Sequence, residues 1–392
     1  TTTFGVHSSS TLAAGTYSAV ITGLTSGRFA GGTSGTFNSG ALTWVLNNSS
    51  GTIWDLVVSN VGPTVSSVSS DKSAGSYKAG EAININILFS SSVNVTGTPQ
   101  ITLETGPTDR VINYSSGSSS NTLTFVYTVQ AGDTASDLDY ISTSALALNG
   151  GTIRDSSSNN ATLTLPTVGG SGSLGSNEAL VIDTVVPTMA ITSSTVSDGA
   201  TSNNSTLAMI FTSNEATTNF VVGDISVSGG SLSSFNASSS TVYTATFTPS
   251  GNGAKTLDVA GGVFTDSAGN NNSAATQFNW TYDTTGPSMA ITSAEVSDGG
   301  ISSNSTLSMT FTSSEATSNF VIGDISVSGG ALSSFNASSS TVYTATFTPS
   351  AQGATTIDVA GGGFTDSSGN SNGSATQFNW TYDTTVPTMA IT

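Results

Sequence analysis

The sequence predicts an all-β chain of tandem β-sandwich modules, arranged end to end, with a small β region at its N-terminus. Three observations carry this. Residues 187–286 align without a gap to residues 287–386 and match at 78 of 100 positions. Apolar residues inside each repeat alternate with polar ones. No segment shows a convincing helical period.

The repeat is read first. A period of 100 residues is too long for a solenoid turn and fits one autonomous sandwich. Three anchors mark it: Pro187, Pro287 and Pro387. Each closes a short Asp-x-x-x-Pro linker that starts at Asp183, Asp283 or Asp383. Proline at a strand start fixes φ and donates no hydrogen bond, so it suits a sheet edge.

The alternation comes next. Leu207, Met209 and Phe211 form one face, as do Tyr243, Ala245 and Phe247, and Phe278, Trp280 and Tyr282. A period of two puts one face on a core and the other in water. Turn clusters such as SDGATSNN, SGNG and DSAGNNN separate the runs. About seven short strands per repeat fit an immunoglobulin-like Greek key. Residues 61–184 make a related module, with Ile83, Ile85, Ile87 and Phe89 alternating, and then Leu123, Phe125, Tyr127 and Val129.

The expected organisation is therefore a small β region at 1–60 and sandwiches at 61–184, 185–284 and 285–384. Residues 385–392 form the first strand of a further repeat, or a donor strand. Strand candidates at 17–23, 41–47 and 52–58 are few for a closed sandwich and leave open edges.

Composition excludes several functions. The net charge is −18, and the six basic residues do not cluster. Nucleic-acid binding needs clustered Lys and Arg, so it is excluded, and an anionic membrane surface is disfavoured. No run of 18 apolar residues is present for a membrane span. Cysteine is absent, which removes disulfides, thiolate metal sites and Cys nucleophiles. A catalytic triad needs a buried, oriented imidazole, and His7, the one histidine, reads as a surface residue near an end of the sequence. Trp280 and Trp380 read as core. Trp44 and Trp54 read as core or as sugar-stacking surfaces. The Asn236-Ala237-Ser238 sequon is expected by chance in so Asn- and Ser-rich a chain.

The motifs TATFTPS, GGVFTDSAGN and YDTTGP resemble bacterial Ig-like domains of large surface proteins and adhesins. GTPQITLETG and NTLTFVYTVQAGD in the preceding module resemble another type common in such proteins. The resemblance covers about residues 62–392. It implies a bacterial, extracellular, non-enzymatic role, and often calcium at the joints. The partners it suggests are further copies of the chain, or cell-surface and glycan ligands. A self-assembling filament, surface-layer or phage-fibre subunit and a carbohydrate-binding module are the alternatives.

Strand parity locates the acids. With seven strands, the second-to-third and sixth-to-seventh loops share a pole with the incoming linker. That gathers Asp183, Glu215, Asp224, Asp266 and Asn270 in one repeat, and Asp283, Glu315, Asp324, Asp366 and Asn370 in the next. Calcium takes six to eight hard oxygen ligands of these types. Asp198 and Asp298 are expected at the opposite pole, where they would complete a following joint. Ordinary turn chemistry is the competing explanation. The 61–184 module has Ser59 and Ser91 in place of acids and keeps only Asp155 and Asn159. Its joint is expected to bind calcium weakly or not at all.

Overall fold

The computed structural model describes residues 62–317 and 319–391, and the backbone of four strands before them. The chain divides into two compact units: residues 1–185 with 267–270, and residues 186–266 with 271–392.

In the first unit, Gly15–Ala19, Gly35–Ser39, Leu42–Asn48 and Trp54–Asn60 form one antiparallel sheet. Its order is first, fourth, third, second. Gly35–Ser39 is a strand that the alternation did not signal, since Phe37 is its one large apolar residue. His7 and the side chains of Trp44 and Trp54 lie outside the described residues.

The 61–184 module centres on the long strand Ala82–Thr96, paired antiparallel with Ser120–Thr128. The register sets Leu123 opposite Ile87, Phe125 opposite Ile85 and Tyr127 opposite Ile83. All six side chains are buried, as the period-two pattern requires. Asp133 is buried at one end of this core. It accepts bonds from Arg110 Nε at 2.7 Å, Tyr127 Oη at 2.7 Å and the Gln130 N–H at 3.0 Å. A one-turn helix, Leu174–Asn177, departs from the expectation of no helix. Ser173 caps it, its hydroxyl accepting the Ser176 N–H, and Leu174 plugs into the core.

The second unit holds the two repeats. In the first repeat Met189–Ser193, Leu207–Ser213, Val242–Pro249 and Gly230–Ala237 make one sheet, in the order first, second, fifth, fourth. The other sheet runs Thr201–Ser202, Phe278–Tyr282, Gly253–Val259 and Ile225–Ser228. This is the immunoglobulin-like arrangement, with the first strand split between the sheets. The second repeat repeats it strand for strand.

The core lies between the two sheets. Leu207 faces Phe247, Met209 faces Ala245 and Phe211 faces Tyr243. Phe220 leaves the second-to-third loop to sit 5.0 Å from Tyr243 and 5.1 Å from Phe264, edge to face. Phe320 does the same in the second repeat. Trp280 and Trp380 are core residues, as expected, and their Nε1 atoms lack hydrogen-bond partners.

Candidate metal centre

The site in the second repeat begins with a loop that folds around its own first residue. In Asp366-Ser-Ser-Gly-Asn370, Asp366 Oδ1 accepts the Ser368 and Asn370 N–H groups, both at 2.8 Å. Asp366 Oδ2 accepts the Asn370 side-chain amide at 3.0 Å. Gly369 has φ +89°, which favours glycine there. Asp155 and Asn159 build the same loop, with bonds of 2.7–2.9 Å. The motif is thus a self-contained turn that also works in the module lacking the other acids.

The linker then docks on this loop. Asn370 Nδ2 donates to the Asp283 carbonyl at 2.9 Å, and Ser368 Oγ donates to Asp283 Oδ2 at 3.0 Å. The Gly373 N–H donates to the Pro287 carbonyl at 3.0 Å. A Cβ on Gly286 would fall 2.2 Å from the Ser371 carbonyl oxygen, so linker or loop would have to shift here to admit a side chain. The first repeat holds the linker from its other side. Thr284 donates to Asn252 Oδ1, and Asn252 Nδ2 donates to Thr285 Oγ1 at 2.9 Å. Asn203 donates to the Ser368 carbonyl and to Asn370 Oδ1.

Glu315, just after the second strand, completes the group. Carboxylate oxygens of Asp283, Glu315 and Asp366 all lie within 4.8 Å of one another. Residues 283–382 contain no Lys, Arg or His. Burial, then the charges of Asp283 and Asp366, push the Glu315 carboxyl above its usual range. Burial also acts upward on Asp366, but the hydrogen bonds from Asn370, Ser368 and Gly369 outweigh it and hold that carboxyl low. Three facing carboxylates with no basic side chain in their repeat are stable with a shared proton or a bound cation. The donor set is hard oxygen throughout, which suits calcium and not a soft metal.

The other expected ligands fall differently. Asp324 Oδ2 accepts the Val321 N–H at 2.9 Å and so closes a single 3-10 turn, Ile322–Asp324. Asp224 does the same with Val221 at 2.8 Å. Asp198 and Asp298 do not point to a following joint. Their Oδ1 atoms accept the N–H groups of Asn279 and Asn379, each at 2.7 Å, at the second residue of the last strand. The cause is the crossover of the split first strand, which carries these residues beside the second sheet. Asp183 and Asn270 belong to the first unit, where Asn270 Nδ2 donates to the Asp183 carbonyl at 2.9 Å. Glu215 and the buried Asp266 belong to the second. Sequence reasoning missed Asn203, Asn252, Gly286 and Ser368. An Asp followed two residues later by a Thr N–H donor was the available signal for the linker turn, seen at Asp283–Thr285 and Asp383–Thr385.

A family profile described as "Bacterial Ig-like domain" matches residues 183–282 and 283–382, more than half of the chain. The chain belongs to this family. These bacterial Ig-like repeats have low-identity likenesses among solved structures. An I-band fragment of titin is 9% identical, with 83% of this chain and 99% of that chain covered and a TM-score of 0.27. Invasin, a bacterial integrin-binding protein, is 11% identical, with 75% and 56% covered and a TM-score of 0.28. A surface layer protein fragment, domains 4–9, is 13% identical, with 87% and 53% covered and a TM-score of 0.20. No curated protein matches the chain. Among the described residues, no helix is long and apolar enough to cross a membrane.

Proposed function

We propose that this chain is a non-catalytic structural protein of the bacterial cell exterior, a stalk of Ig-like modules with calcium-stiffened joints that serves adhesion or surface display. Membership in the bacterial Ig-like family supports the structural role. The observation that carries the joint is the Asp283, Glu315 and Asp366 group, in a repeat without a basic side chain. Asp283 is a linker residue, so a cation shared with Glu315 and Asp366 couples linker geometry to metal. Asp183, Glu215 and Asp266 are the corresponding residues one repeat earlier. Calorimetric titration of the full chain with Ca2+, beside thermal melts with and without EDTA, tests the joint. Heat of binding and a higher melting temperature with Ca2+, both reduced by Glu315→Gln, are expected. No heat and no shift would sink it. Electron microscopy of the purified chain distinguishes a stalk from a polymer.

A second reading is a self-assembling filament subunit. The heptapeptides 186–192 and 386–392 are identical. In the first copy Met189 and Ile191 are 4% and 9% exposed and the strand pairs antiparallel with Leu207–Ser213, so the same heptapeptide supplied by another chain can add a strand in the same way. Deleting residues 386–392 tests it, and unchanged assembly would eliminate it.

A further inference from the structure

We infer that Lys78 is a built-in counter-ion at the Asp183 joint, which leaves the Asp283 joint as the one that calcium controls. This deepens the calcium reading above and rests on it for the metal.

Both joints use the same turn. Asp266-Ser-Ala-Gly-Asn270 in the first repeat corresponds to Asp366-Ser-Ser-Gly-Asn370 in the second. Asn270 Nδ2 donates to the Asp183 carbonyl and Asn370 Nδ2 to the Asp283 carbonyl, each at 2.9 Å. Each linker therefore docks on its turn through the same bond. Residues 267–270 belong to the first unit with Asp183, and Asp283 and residues 366–370 belong to the second.

The residue that meets the turn from the preceding module differs. Lys78 follows the strand Gly75–Tyr77, and its Nζ donates to the Gly269 carbonyl at 2.7 Å. Asn203 follows the strand Thr201–Ser202 and takes the same place on the later turn. Its N–H donates to the Ser368 carbonyl at 3.2 Å, and its Nδ2 donates to Asn370 Oδ1 at 3.1 Å. A Cβ on Gly269 would lie 3.4 Å from Lys78 Nζ, and a Cβ on Gly369 would lie 3.4 Å from Asn203 Nδ2. The approach is the same, but one turn meets a full positive charge and the other a neutral amide.

That difference bears on the metal. Among the described residues Lys78 forms no salt bridge, so its charge is not neutralised by a single carboxylate. It sits on the carbonyl next to Asn270, whose amide holds the Asp183 linker, in the turn that Asp266 opens. A bond from an ammonium is of the stronger, charge-assisted kind and needs no metal to form. Residues 283–382 have no Lys, Arg or His, so the acids of the Asp283 joint have no such charge in their own repeat. Calcium affinity follows the negative charge that the ligands leave uncompensated. A fixed ammonium therefore weakens calcium at the Asp183 joint and does part of its work. At low calcium the chain loosens first at the linker 283–286.

Calorimetric titration of the full chain with Ca2+ tests this through a swap of the two residues. In the parent chain the tighter uptake should be the one that Glu315→Gln removes. Lys78→Asn should tighten the weaker uptake at least about tenfold, and Asn203→Lys should weaken the tighter one by a similar factor. Affinities unchanged in both variants would overturn the inference. Hydrogen exchange in EDTA separates it from the calcium reading. Residues 267–270 should exchange faster as NaCl rises from about 0.05 to about 1 M, because salt screens the ammonium. Lys78→Asn should remove that effect, and residues 367–370 should not respond to salt. Exchange at 267–270 that ignores salt would overturn the counter-ion role. A parent chain that takes up no calcium but shows the salt effect would refute the calcium reading alone and support Lys78 as the counter-ion.

Discussion

Asp298 Oδ1 holds the backbone N–H of Asn379 at 2.7 Å, across 81 residues of sequence. A side chain from the first strand's crossover thereby completes the hydrogen bonding of the last strand. Asp298→Ala leaves that N–H to water and should cost about 1 kcal/mol. Hydrogen exchange of the Phe378–Tyr382 segment is the measurement, and the Asn379 amide should exchange faster than in the parent chain. Unchanged exchange would refute this.

Lys255 is the one basic residue of the two repeats and is only 2% exposed. Its Nζ reaches the Ser250 carbonyl at 3.4 Å, and no described carboxylate forms a salt bridge with it. The second repeat has Thr355 there, whose hydroxyl donates to the Trp380 carbonyl at 2.9 Å. Lys255→Thr should stabilise the first repeat by about 1–2 kcal/mol by removing a buried charge. Calorimetric unfolding of the full chain checks it, and a lowered melting temperature would contradict it.

The pH dependence of the second repeat follows from Glu315. Its folded pKa is raised above the ordinary 4.5, so the folded repeat keeps a proton that the unfolded chain releases. In EDTA, stability should fall as pH rises from about 4.5 through the raised value. Asp366 works in the opposite sense: its lowered pKa contributes stability that is lost only as pH falls through it. Calcium should cancel the loss on the alkaline side. Glu315→Gln should abolish both that loss and the calcium effect. Melting curves across pH, with and without Ca2+, measure it.

Gly286 is the residue that Val186 and Val386 replace in the other linkers. A side chain there would meet the Ser371 carbonyl at 2.2 Å, so linker or loop must move. Gly286→Val should destabilise the second repeat by about 1–3 kcal/mol and loosen the Asn370–Asp283 bond. Val386→Gly should do far less, since Val386 is exposed. Denaturant unfolding of both variants compares them.

The sandwich was legible because its strands carry their own signal. Leu-x-Met-x-Phe and Phe-x-Trp-x-Tyr have one face for the core, and the structure buries Leu207, Met209, Phe211, Phe278 and Trp280. The metal candidates were half legible. Counting strands placed Asp283, Glu315 and Asp366 at one pole correctly, because a pole depends only on parity. The same count misplaced Asp298, since parity does not say where a strand leaves one sheet for the other. Asp324 was misread for a local reason: three residues after Val321 it closes a turn, which its acidity does not disclose. Asn203 and Asn252 were invisible because an amide in a polar loop gives no pattern until its partner is known.

The near-identity of the repeats has a consequence for how the chain folds. Val242–Pro249 and Val342–Pro349 have the same eight residues, and each pairs with a Leu-x-Met-x-Phe strand in the same register. A strand from one repeat would therefore find, in its neighbour, a partner as complementary as its own. Such exchange between adjacent repeats is a characteristic misfolding hazard of tandem arrays. Sequence alone hardly distinguishes the right pairing from the wrong one. What favours the native partner is the shorter stretch of chain that must close to reach it.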